Sequence, residues 1–92
     1  MEIIVTENNL NKSYVAFMSG TEDKPLVNET TVTELAKWLR KDKAAKHLSE
    51  RNGQLVISFH GANGAPTKEL EICYNASDHE AIRQEIEAAI TN

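Results

Sequence analysis

A chain of 92 residues with 40% apolar residues, four glycines and two prolines has the size and composition of one globular domain, spanning 1–92. Its formal charge is −4 and it holds a single cysteine, Cys73, which excludes an internal disulfide and weighs against a surface built all round for nucleic acid. At this length there is room for one sheet layer and a few covering helices but hardly for a deep substrate cavity, so neither an enzyme nor a small-molecule substrate is expected.

The opening "MEIIVTENNL" has no basic segment ahead of its short apolar run, unlike a secretory signal. No window approaches the roughly 18 apolar residues of a membrane span. The expected setting is therefore the cytoplasm, with no membrane partner. "EIIVT" and "SYVAFM" are β-branched and aromatic runs joined by the asparagine-rich "ENNLNK", the pattern of a hairpin. "LVNE" adds a short extended piece.

In "TVTEL", Thr31 is placed to cap a helix with Glu34 three residues on, a capping-box pattern. Val32, Leu35, Trp38 and Leu39 follow at helical spacing and form its apolar stripe. On a wheel of about 100° per residue, Ala44, Ala45 and Leu48 fall on the far side from that stripe. One straight helix cannot bury both sets. A break at Asp42, followed by a second helix from Lys43 to Arg51 and a stop at Asn52-Gly53, resolves the conflict.

"QLVISFH" and "TKELEICY" alternate with Leu55, Ile57 and Phe59, and with Leu70, Ile72 and Tyr74, on one face; "GANGAP" between them supplies turn residues. They read as a second hairpin. "SDHEAIRQEIEAAI" repeats the capping box with Ser77 and Glu80 and closes the chain as an amphipathic helix. The predicted fold is α+β: a four-stranded, mostly antiparallel sheet with helices packed on one face, in the order β-β-α-α-β-β-α. Ile4, Ala16, Met18, Val56 and Cys73 alternate with the core residues, so the sheet's other face is not fully polar.

The residues that carry chemistry elsewhere do not cluster here. His47, His60, Cys73 and His79 never stand at metal-ligand spacing, so no metal is expected. "FHGANG" is a hairpin turn without the nucleophile elbow an acyl-transfer site needs. Neither phosphate-binding glycine motif is present, and no cofactor is assigned. Glu69 with Glu71, and Glu85 with Glu87, read as solvated charged faces.

Charge is the one uneven feature. Residues 37–51, "KWLRKDKAAKHLSER", hold Lys37, Arg40, Lys41, Lys43, Lys46 and Arg51 against Asp42 and Glu50, a net of +4 in a chain whose remainder is −8. Lysine and arginine are good helix formers and occupy the outer side of many helices. Alternatively the six form a contact surface for an acidic protein partner or for a nucleic-acid backbone. Trp38, the one aromatic among them, belongs to the apolar stripe, which argues against a stacking platform for single strands.

In size, acidity and plan, with "KWLRKDKAAKH" and the capped helices "TVTEL" and "SDHEAI", the chain resembles small phage-encoded anti-CRISPR proteins of the type I-F inhibitor kind. That resemblance implies a non-enzymatic, stoichiometric binder that docks on a ribonucleoprotein complex of Cas proteins with guide RNA and blocks target-DNA binding. The run "SYVAFMSG" followed by "TTVTEL" is similar to the opening of small antitoxin-type domains. This second likeness implies an antitoxin-like regulator as an alternative, beside the nucleic-acid-backbone binder that the six cations allow.

Overall fold

The structure, a computed structural model, describes residues 1–9 and 26–91. Its elements are β1 (Glu2–Asn9), β2 (Leu26–Thr31), α1 (Val32–Lys41), β3 (Ala45–Arg51), β4 (Gln54–His60), β5 (Pro66–Cys73) and α2 (His79–Thr91). The strands form one sheet in the order β2-β1-β5-β4-β3 with every neighbouring pair antiparallel. This is the predicted α+β class with an antiparallel sheet, but the described residues form five strands rather than four. The order along the described chain is β-β-α-β-β-β-α.

Strand alternation sends one set of side chains to each face. Ile3 and Val5 of β1, Leu55, Ile57 and Phe59 of β4, and Leu70 and Ile72 of β5 form the inner set. Val32, Leu35, Ala36 and Leu39 of α1 and Ile82, Ile86 and Ala89 of α2 close over them. Both helices therefore cover the same face. Among the described strands β2 and β3 stand at the two edges, and α1 crosses from one to the other.

Thr31 caps α1 as the sequence predicts, accepting the Glu34 amide at 3.2 Å. The Glu34 carboxylate lies 3.6 Å from Lys37 Nζ. The second predicted cap differs: a 3-10 turn, Ala76–Asp78, leads into α2, and Asn75 before it makes no side-chain capping bond. Backbone closes that turn instead, Asp78 N donating to Asn75 O at 2.8 Å.

Two expectations are corrected. "LVNE" is part of a full edge strand, β2, which pairs along β1 from Glu2–Thr31 to Glu7–Leu26. The predicted partner of β1, "SYVAFM", lies outside the described residues. The second helix of the predicted pair is a strand, β3, pairing with β4 from Ala45–His60 to Arg51–Gln54. Asn52 and Gly53 have φ of 54° and 79°, the two positive values a type I′ hairpin turn requires. Helix propensity in "KAAKHL" is worth only tenths of a kcal/mol per residue. Pairing with a strand whose Leu55, Ile57 and Phe59 are fully buried outweighs it.

On the face opposite the helices, Ile4 is 42% exposed and Cys73 is exposed. Val56, on the same face, is only 2% exposed. Ala16 and Met18 lie outside the described residues.

Candidate partner-binding surface

The six cations of residues 37–51 do not form one surface. Lys37, Arg40 and Lys41 lie on α1, Lys43 in the link that follows, and Lys46 and Arg51 on β3. Lys46 faces inward with its side chain 6% exposed. Its ammonium donates to Asp42 O at 2.5 Å and Ala44 O at 2.8 Å and lies 3.6 Å from the Asp42 carboxylate. The ring of Phe59 is 5.5 Å away, within cation–π range.

Arg51 is likewise spent inside the molecule. Its guanidinium crosses β4 to reach β5, donating to Glu69 at 2.9 and 3.0 Å and to Glu71 at 3.3 Å. The bonded, charged Glu69 raises the Arg51 pKa above its ordinary value. Directly between Ser49 and Glu71 in the ladder sits the buried Val56. Glu69 and Glu71, predicted as a solvated acidic face, are thus the anchors of this bridge.

Four cations remain on the surface. Lys37 pairs with Glu34 through two side chains that are both largely exposed, a contact worth little. Arg40, Lys41 and Lys43 are exposed, and among the described residues no carboxylate lies within ion-pair distance of them. Asp42 stands between them in sequence, but its carboxylate accepts the Ala44 amide at 2.8 Å and faces Lys46. Arg40 and Lys41 occupy the last turn of α1, where positive charge suits the helix dipole. The fold thus concentrates unneutralised positive charge at one corner, where α1 ends.

Trp38 belongs to this corner and not to the core. It is 40% exposed, with its ring centroid 5.6 Å from that of Phe59. Lys68 Nζ lies 5.2 Å from the Trp38 centroid and 4.9 Å from that of Phe59, and 3.8 Å from Glu7. Beside Trp38 a cleft of about 400 Å³ is lined by Val5, Leu35 and Leu70 with Glu7 and Glu34 at its polar side. Helical spacing sets Trp38 next to Lys41 three residues on.

The signal for an outward Trp38 was present in the sequence. Taking about 100° per residue, Leu39, Val32 and Ala36 fall to one side of Leu35 while Trp38 falls to the other, at the stripe's flank. A wide aromatic there keeps one edge in water.

One further polar cluster ties the β3–β4 turn to α2. Tyr74 Oη accepts the Leu55 amide at 3.2 Å, His79 Nδ1 lies 2.5 Å from the same oxygen, and His79 Nε2 lies 3.4 Å from Glu50. Tyr74 Oη also lies 3.5 Å from Gly53 O, so the phenol links the turn, β4 and the start of α2. Burial raises the Tyr74 phenol pKa. His47 stands on β3 and His60 at the end of β4, its Nδ1 3.1 Å from Gly64 O. Among the described residues no three His, Cys, Asp or Glu side chains converge as a metal-ligand group, and no helix is long and apolar enough to cross a membrane.

Comparisons with protein-family models, with curated proteins and with solved structures found no match to this chain.

Proposed function

We propose that the protein is a non-enzymatic, stoichiometric binder that acts by covering a surface on a larger partner. The observation that carries this reading is the corner at the end of α1. There the half-exposed Trp38 neighbours Lys41 on α1, Arg40 and Lys43 follow at the helix end, and among the described residues these three cations have no ion-pair partner, in a chain of net charge −4. Aromatic and arginine side chains of this kind supply much of the binding energy at protein interfaces. Unpaired positive charge around them favours an acidic patch or a phosphate backbone on the partner. Lys46 and Arg51 are set aside as contact residues, because both are engaged within the fold.

The likeness to type I-F anti-CRISPR proteins gives the partner a concrete form: a complex of Cas proteins with guide RNA whose target-DNA site is occluded. The test is an electrophoretic shift of target DNA by a purified type I-F surveillance complex, titrated with the protein. The expected result is loss of the shifted band at equimolar protein, and its retention when Arg40, Lys41 and Lys43 are all replaced by Glu. An undiminished shift at excess protein refutes the anti-CRISPR reading. A tagged pull-down from bacterial lysate then decides what remains. A protein partner that survives nuclease and is lost on the triple reversal keeps the binder reading, whereas partners lost to nuclease make the corner a nucleic-acid contact.

A further inference from the structure

We propose that β3 is a self-pairing edge. Two copies of the chain join antiparallel about a two-fold axis at Leu48, so that one sheet runs through both.

β3 ends the sheet, and no described strand pairs with its outer side. The two-residue turn at Asn52-Gly53 makes Arg51 and Gln54 the closing hydrogen-bonded pair. By the alternation of an antiparallel ladder, Ala45, His47, Ser49 and Arg51 turn their backbone groups to β4, while Lys46, Leu48 and Glu50 turn theirs outward.

Parity then selects the register. Directly opposed residues in an antiparallel ladder must both face the partner or both face away. β3 has seven residues, and a two-fold through its middle residue, Leu48, opposes each outward residue to another outward one. All seven residues pair in that register. β2, the other edge, has six. Full overlap there opposes inward to outward residues, so β2 cannot repeat the arrangement along its length.

The apolar side chain at the axis suits this register. The Leu48 register opposes Lys46 of each copy to Glu50 of the other, Leu48 to Leu48 and His47 to Ser49. Leu48, half-buried in the single chain, gains an apolar cross-strand neighbour there, while Lys46 keeps its own Asp42 and Ala44 and brings no free cation to the seam. A one-step shift to the next permitted registers opposes Leu48 to Lys46 or Glu50 and shortens the overlap.

Edges are commonly guarded by long charged side chains, prolines or bulges. β3 has no proline, and its ladder with β4 runs without a register shift from Ala45 to Arg51. Its two long cations are drawn back over their own sheet, Lys46 onto Asp42 and Ala44 and Arg51 onto Glu69 and Glu71. Among the described residues no backbone bond engages the outward groups of Lys46, Leu48 and Glu50.

The test combines sedimentation equilibrium with residue-resolved amide exchange over a dilution series of the whole protein. A dimer is expected whose Lys46, Leu48 and Glu50 amides gain protection as concentration rises. His47 and Ser49, already bonded to β4, should keep constant protection. Glu50→Lys, which opposes lysine to lysine twice, should give loss of the dimer with an unchanged circular dichroism spectrum. A monomer at every attainable concentration overturns the proposal. So does a dimer whose outward amides exchange at a fixed rate, or a Glu50→Lys variant that dimerises as the parent does. The Arg40–Lys43 corner lies outside this edge, so either proposal stands or falls alone.

Discussion

Lys46 and Lys43 are three residues apart and look interchangeable in sequence, yet the fold assigns them opposite roles. Replacing Lys46 by Met keeps most of the aliphatic stem against Phe59 but removes the ammonium that binds two carbonyl oxygens at 2.5 and 2.8 Å. Hydrogen bonds to a charged group contribute roughly 1.5–3 kcal/mol. The side chain is 6% exposed, while the Asp42 side chain it faces is 25% exposed, so the ion pair itself adds little beyond those bonds. The Ala44 carbonyl lies at an exposed residue and recovers a bond to water. The expected net loss is therefore about 2 kcal/mol, near the lower part of that range. For a domain of this length it lowers Tm by roughly 8–16 °C. Lys43→Met, at an exposed position, should stay within about 0.5 kcal/mol of the parent. Thermal and urea melts followed by far-ultraviolet circular dichroism measure both. If Lys46→Met melts together with Lys43→Met, the buried-anchor reasoning is refuted.

Gly53 has φ +79° with open space where a Cβ would stand, so Gly53→Ala isolates the backbone cost of the left-handed conformation. It should destabilise by about 1 kcal/mol, and a neutral urea midpoint would contradict the turn geometry. Tyr74→Phe removes the acceptor for the Leu55 amide and the partner of His79, which should cost about 1 kcal/mol near neutral pH. Because burial raises the Tyr74 pKa from 10.0, the folded state favours the neutral phenol. That stabilisation is complete below the unfolded pKa and is lost as pH rises through the folded one. The stability gap between parent and Tyr74→Phe should therefore narrow above about pH 10. Urea midpoints at paired pH values check this, and a gap independent of pH would refute the assigned burial.

What could be read from the sequence was local. The Thr31 cap, the alternation of β4 and β5 and the amphipathic closing helix each depend on neighbours a few residues apart, and each is present. The segment 43–51 reads as helix because its composition favours helix and the Asn52-Gly53 that follows serves equally as a helix stop and as a hairpin turn. Tertiary pairing with β4 decides between them. The division of the six cations was not legible for a related reason. Arg51 is neutralised by Glu69 and Glu71, which lie 18 and 20 residues away, and only the ladder register brings them together. Trp38 could have been assigned to the flank from the helical wheel, yet how far it stays exposed depends on Phe59 and Lys68, which belong to other strands.

The place of β1 in the sheet sets an order in time. β3, β4 and β5 are consecutive and joined by short turns, and such hairpins close within microseconds. β1 must instead meet β5 across most of the chain, with Ile4 opposite Cys73, 69 residues on. Closing so long a loop carries an entropy cost before any contact offsets it. Until β1 arrives, the inner edge of β5, with Leu70 and Ile72, stands open as a template for other strands. A newly made chain therefore passes through an interval in which it is most prone to aggregate, and that interval ends when its first strand docks against its last.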